Sequence, residues 1–201
     1  MEHGIAGNLL PKIMDNIRIE KKAERLRMTR GMVEEKSSII IDKILSEDLV
    51  KKADKIAAFS SFQNEPRTRK IIESLWLKNK SVFLPIINEG SMNFFSYTSQ
   101  TPIIKNVFGI EEPDLSYAKS VSVESLDLIL VPLVAFDKDC NRIGMGEGYY
   151  DKALSDLNNS NKKRTHLMGV AYNFQKVEQI KPNKWDVPLD CIVTEIDVYR
   201  S

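Results

Sequence analysis

The 201-residue chain predicts an α/β fold: a three-layer sandwich with a central, largely parallel or mixed sheet and N-terminal helices packed on it. Three observations point there. No Phe, Tyr or Trp precedes Phe59, so the first stretch cannot supply a large aromatic core and reads as helix. From residue 55 onward, short apolar runs alternate with helical segments, the order of an α/β domain. The most apolar stretch, Leu126 to Phe136, is a nearly continuous run rather than an alternating one, as in a strand buried on both faces. One domain over 1–201 is expected, with a helical segment at 1–50 and a sheet-containing core at 55–201.

The elements follow in order. Ile13, Ile17, Ala23, Leu26 and Val33 form a loose helical face, broken at Thr29-Arg30-Gly31. A second helix follows from about Glu34 to Leu49, with Ile40, Ile44 and Leu45 inward. Arg18 to Arg30 carries six basic residues against two Glu. No aromatic is interleaved there for base stacking, so the stretch reads as a solvated helix face. Lys55 to Ser61 is a short strand, and Pro66 is placed to open a helix through Lys78. Ser81 to Ile87 reads as a buried strand, and Asn93 to Thr98 as an edge strand or half of a hairpin across Asn88-Glu89-Gly90. Residues 99–120 read as loop. Leu126 to Ala135 is the strongest strand and belongs in the centre of the sheet. Tyr149 to Leu157 is a helix ended by Asn158-Asn159-Ser160-Asn161, and His166 to Tyr172 and Cys191 to Val198 are further strands.

Composition narrows the function classes. Lys and Arg number 29 against 28 Asp and Glu, a net charge of +1, which removes any global attraction to nucleic acid or an anionic membrane. The run at 126–136 falls short of the roughly 20 apolar residues a bilayer span needs. Met1-Glu2-His3-Gly4 lacks the order of a signal peptide. Two cysteines, Cys140 and Cys191, form no CxxC pair, and two histidines complete no zinc-type set. The expectation is a cytoplasmic monomer with free thiols and neither nucleic-acid nor membrane partners.

Chemistry concentrates at one place. Three of the nine glycines fall within Gly144-Met145-Gly146-Glu147-Gly148, after the best strand and before a helix. Glycines let backbone N–H groups approach an anion closely, and a helix start adds positive potential. Arg142 supplies a guanidinium suited to bidentate phosphate contact, and Asp151 a carboxylate for magnesium. The residues thus read as a phosphate-binding loop, with a glycine-rich packing turn as the alternative. No GxxxxGK[ST] occurs, and the GxGxG spacing lacks the last glycine of a dinucleotide fingerprint, so a P-loop and a Rossmann dehydrogenase are both disfavoured.

The run from Asp137 through Arg142, Gly144, Gly146 and Gly148 to Tyr149-Tyr150-Asp151 resembles the signature of the 5-formyltetrahydrofolate cyclo-ligase (5,10-methenyltetrahydrofolate synthetase) family. Glu65-Pro66-Arg67-Thr68, the strand Leu126 to Pro132 and the Trp185-to-Asp190 stretch match further segments, so the resemblance spans roughly 15–198. It implies a carbon–nitrogen cyclo-ligase of one-carbon metabolism. ATP phosphorylates the formyl oxygen of 5-formyltetrahydrofolate, N10 attacks the activated carbon, and 5,10-methenyltetrahydrofolate, ADP and phosphate result.

The resemblance also implies the residue roles. Lys12, Arg18, Arg142, Gly144, Met145, Gly146, Glu147, Gly148 and Tyr150 would bind ATP. Ser60, Glu65 and Tyr149 would bind the folate, with Arg142 and Tyr149 catalytic, and Asp151 and Asp186 would hold Mg2+. The chain departs from the family pattern at several positions. Met14 stands where the family has a lysine, with Lys12 nearby. Met145 and Glu147 replace residues that are usually basic and usually Gly or Lys, respectively, and Cys140 replaces a turn glycine. These departures leave a catalytically silent folate or nucleotide binder as the alternative, beside another phosphate-ligand enzyme on a similar fold.

Overall fold

Alternation of side chains along short strands builds the core in two layers, one on each side of a single sheet. The computed structural model describes residues 6–155, 157 and 165–201, with side chains from residue 12 onward. In chain order come α1 (Ala6–Leu26), α2 (Arg30–Ser46), α3 (Asp48–Lys52), β1 (Lys55–Ala57), α4 (Arg69–Leu77), β2 (Ser81–Asn88) and β3 (Ser91–Tyr97). There follow β4 (Ile103–Lys105), β5 (Glu111–Pro113), β6 (Ser120–Val121), β7 (Leu128–Pro132), β8 (Ala135–Phe136) and β9 (Arg142–Ile143). The chain closes with α5 (Tyr149–Leu154), β10 (His166–Val170), β11 (Cys191–Val193) and β12 (Val198–Arg200).

The main sheet has eight strands in the order β12-β11-β10-β7-β1-β2-β3-β6. The five from β11 to β2 are mutually parallel, with antiparallel partners at both edges. Because side chains on a strand alternate between faces, Ile56, Leu128, Leu130, Met168 and Val193 pack with Val33, Ile40, Ile44 and Leu75 from the helices α2 and α4. Ala57, Phe83, Ile129, Val131 and Ile192 point the other way, against Leu154 of α5, Phe136 and Leu189. Helices therefore cover both faces, and β7 sits in the interior of the sheet.

Several boundaries differ from those the sequence suggests. Thr29 does not merely interrupt a helix: its Oγ1 accepts from the Met32 N–H at 3.3 Å and caps α2, which therefore starts at Arg30 and ends at Ser46. The run 126–135 splits, since Pro132 has no N–H to continue a ladder. The freed carbonyls of Leu133 and Val134 accept from the Gln175 amide at 2.8 and 2.9 Å. The segment 99–120 holds the β4–β5 hairpin and β6; its turn is closed by Asn106 Oδ1, which accepts from the Phe108 and Ile110 N–H groups. The helix expected from Pro66 begins at Arg69, α5 is shorter than expected, and 191–198 folds back as β11 and β12. The helix stop at 158–161 lies outside the described residues.

Burial raises the Cys140 thiol to about 11 and the Cys191 thiol to about 12, which keeps both unreactive at neutral pH. Gly169 in β10 admits no side chain: a Cβ there would meet Leu189 Cδ1 at 2.7 Å and Leu133 Cδ2 and Ile192 Cγ1 at 2.9 Å. Gly169→Val is expected to cost about 1–3 kcal/mol by overpacking, read as a lowered urea midpoint. An unchanged midpoint would contradict this packing.

The topology also fixes where a ligand can sit. From β1 the chain moves through α4 to β2 on one side, then returns to β7 on the other side of β1. The order of the strands thus reverses between β1 and β7, and loops leaving their carboxyl ends diverge around a crevice there.

Candidate active site

The first loop follows β1. Ser61 Oγ donates to the Pro66 carbonyl at 2.7 Å and accepts from the Thr68 N–H at 3.0 Å, and the buried Thr68 hydroxyl donates to the Phe59 carbonyl. Gln63 and Asn64 take left-handed conformations, φ 45° and 59°. Asn64 Nδ2 donates to the carbonyls of Arg25 and Met28 at 3.2 and 3.1 Å, tying the loop to the end of α1. This turn swings Glu65 inward until it is 7% exposed. Its Oε2 accepts from the Phe62 N–H at 3.0 Å and its Oε1 lies 3.4 Å from Arg25 Nη1. Burial pushes the Glu65 carboxyl above the usual carboxylate range, against the pull of the Arg25 charge and the Phe62 N–H.

The second loop follows β7. Asp137, fully buried, accepts from the N–H groups of Asp139, Asn141 and Ile180. The turn puts Cys140 at φ 61°, which explains why a glycine suits that position. The β8–β9 pair then returns Arg142, whose guanidinium donates to the Val187 carbonyl and the Asp151 carboxylate. Beyond it, Arg18 Nε donates to the Gly144 carbonyl at 3.0 Å, fastening α1 to the glycine segment.

The glycines are not needed for packing. A Cβ on Gly144 or Gly148 would meet nothing within 4 Å, and one on Gly146 only Arg18 Nε at 3.9 Å. Gly146 and Gly148 have φ of 115° and 69°, which demand glycine by conformation. Gly144 has neither constraint and lies beside open space.

The two loops meet at Tyr150. Its hydroxyl is buried without a partner among the described residues, and burial together with the Glu65 charge pushes its pKa up while Arg142 opposes. Tyr149 turns instead to a cleft of about 360 Å³ lined by Phe94, Val121 and Lys152, with Lys152 Nζ 5.9 Å from its ring centre. Ser60 gives its hydroxyl to the Glu111 carbonyl at 2.5 Å and borders a separate cleft of about 270 Å³ with Arg67, Tyr97 and Lys105. Asp186 shares a third cleft with Arg142 and accepts from the Asn183 N–H at 2.7 Å. Lys12, Met145 and Glu147 are exposed, while Met14 packs against Ala135, Ile143 and Ile180.

One residue of this cluster was not among the candidates. Arg25 is 1% exposed, so the expectation of a solvated face for 18–30 fails there. Its spacing was the available signal: Arg18 and Arg25 lie seven apart, two helical turns, on the side that also carries Met14.

The sequence profile of the 5-formyltetrahydrofolate cyclo-ligase family matches residues 13–195, which contain both loops. The chain belongs to this family. It is 36% identical over 176 residues to the 5-formyltetrahydrofolate cyclo-ligase of Haemophilus influenzae, covering 86% of this chain and 92% of the relative. The Escherichia coli K12 relative of the same name is also 36% identical, over 151 residues, 74% of this chain and 81% of that one. In three dimensions the chain resembles the Aquifex aeolicus 5,10-methenyltetrahydrofolate synthetase, with a TM-score of 0.80 and 29% identity over 94% of this chain and 92% of the other. The enzyme is a 5-formyltetrahydrofolate cyclo-ligase by activity, and family membership implies ATP use. Among the described residues, no helix is long and apolar enough to cross a membrane.

The donor set suits magnesium in one form. Among the described residues no three His, Cys, Asp or Glu side chains gather into a protein cage. Magnesium bound with phosphates takes only one or two carboxylates and keeps several waters. Asp151, its side chain 28% exposed at the end of the glycine segment, fits that demand, and Asp186 lines a cleft that Arg142 also borders.

Proposed function

We propose that the two loops form one site, in which Glu65 holds the folate while Gly144 to Gly148, Arg18 and Arg142 hold ATP. The observation that carries this reading is the meeting of the loops. Tyr150, two residues past Gly148, sits under the charges of both Glu65 and Arg142.

The chemistry needs that proximity. The formyl oxygen of the substrate attacks the γ-phosphorus and ADP leaves. N10 then adds to the activated carbon and gives up its proton, and phosphate departs with the former formyl oxygen. Such transfer is governed by positioning and charge stabilisation. Backbone N–H groups of the glycine segment and the Arg142 guanidinium supply fixed positive charge, held in place by Asp151 and the Val187 carbonyl. Asp151 and Asp186 would hold magnesium, which would supply further positive charge at the phosphates. Glu147, being exposed, keeps its charge in water and spares the polyphosphate most of its repulsion. Ser60, at the start of the loop that carries Glu65, borders the folate side, Tyr149 opens onto a different cleft, and the enzyme works as a cytoplasmic monomer.

The test is direct. Purified protein given 5-formyltetrahydrofolate, ATP and magnesium should form the methenyl product, seen by its near-ultraviolet absorbance, and should fail if any one is omitted. Glu65→Gln should raise the KM for folate by about tenfold or more, the scale of a hydrogen bond to a charged group, and leave the KM for ATP nearly unchanged. A change confined to ATP would overturn the assignment of Glu65.

A further inference from the structure

Arg25 spends very little of its hydrogen-bonding capacity. Of a guanidinium's donors, Nη1 faces Glu65 at 3.4 Å, whereas Nε and Nη2 are buried without a partner among the described residues. Enclosing a cation this fully is costly unless it is paired, and the pairing here is a single long contact. A residue meant only to stabilise α1 would have stayed in water, as Arg27 does just past the end of the same helix.

Among the described residues, few groups face Glu65. From its own loop comes the Phe62 N–H and from α1 the Arg25 guanidinium, while on α5 the buried Tyr150 hydroxyl feels the Glu65 charge. Arg25 is thus the cation paired with this carboxylate. The chemistry of recognition makes its charge state matter. An ionised carboxylate only accepts, through two oxygens, and so matches a ligand edge that presents N–H donors. A protonated one turns one oxygen into a donor and meets such an edge donor to donor.

We propose that Arg25 is a positioning residue for folate recognition, keeping Glu65 ionised inside the protein and aiming its carboxylate at the N–H groups of the folate. This rests on the assignment of Glu65 to the folate. The direction of titration agrees with the geometry: burial raises the Glu65 carboxyl, and the Arg25 charge is the largest influence bringing it back down. As pH falls, Glu65 therefore protonates earlier than an ordinary carboxylate, and without Arg25 it protonates earlier still.

The experiment measures the KM for 5-formyltetrahydrofolate and for ATP from about pH 5.5 to 9, a range spanning a raised carboxylate. Proteins compared are the wild type, Arg25→Met, Arg25→Lys, Glu65→Gln and the double variant Arg25→Met/Glu65→Gln, with folding checked by circular dichroism. Arg25→Met should raise the folate KM by about ten- to a hundredfold at neutral pH and leave that for ATP unchanged. Its acid limb should move toward alkaline pH by about one to three pH units, the effect of an opposite charge on a carboxylate. Arg25→Lys, which restores the charge, should recover part of both changes, and in the Glu65→Gln background the limb should not move. An Arg25→Met profile that superimposes on the wild type after scaling, or the same movement without Glu65, overturns the proposal. If Arg25→Met fails to fold, Arg25→Gln removes the charge while keeping polarity and is judged by the same outcomes. Failure of Glu65→Gln alone to affect folate would instead strike the assignment of Glu65.

Discussion

Arg142→Ala should weaken ATP binding by about 1.5–3 kcal/mol, roughly ten- to a hundredfold, and lower turnover at least as much. The guanidinium is 5% exposed and joins three segments: its own strand β9, the Asp151 carboxylate on α5 and the Val187 carbonyl. Alanine removes the positive charge at the glycine segment and also leaves Asp151, only 28% exposed, without its counter-charge. Arg142→Lys should rescue little, because an ammonium is a point charge and cannot span both partners as a planar fork does. Calorimetric titration with ATP decides the matter: unchanged affinity in a folded Arg142→Ala protein would remove this residue from the ATP site.

A second expected result separates two explanations for the glycines. Gly144→Ala should fold with a stability within about 0.5 kcal/mol of the parent, since the structure offers space and no left-handed φ there. Its KM for ATP should nevertheless rise by an order of magnitude, about 1.4 kcal/mol, because a methyl group occupies the space where phosphate approaches the backbone. Gly146→Ala must also adopt φ near 115° with a side chain. It should lose about 1–3 kcal/mol as well as ATP affinity. Equal ATP affinity in Gly144→Ala and the parent would favour a glycine turn that serves the fold alone.

The sheet was legible wherever apolar runs were long. β7 and β10 carry continuous buried side chains, and β2 and β3 carry a turn signal between two such runs. The short exposed strands β4 and β6 were not legible, because two or three residues with no buried face leave no period to read. Boundaries failed where a side chain elsewhere decides them: Gln175 takes the carbonyls after Pro132, a partner forty residues away in the chain. In the site, the glycine segment and Arg142 announce themselves by spacing. Arg25 shows only as a seven-residue spacing from Arg18, which in a helix rich in basic residues does not by itself mark a cation that turns inward. Tyr149 and Tyr150 are adjacent, and only their packing shows which lies under Glu65 and which lines a cleft.

The attachment of α1 has a thermodynamic consequence. Its described apolar contacts are Met14 and Ile17 against Ala135, Ile143 and Ile180, a patch separate from the two main layers. Its remaining ties are Arg18 on Gly144, Arg25 on Glu65 and its end on Asn64, all groups of the site itself. The affinity of the helix for the sheet and the affinity of the site for its ligands therefore draw on the same atoms. Linkage makes the coupling reciprocal: any ligand that prefers the docked helix holds it down by the factor by which docking tightens the ligand. The N-terminal arm is thereby a clasp whose hold on the body is tied to the cargo beneath it.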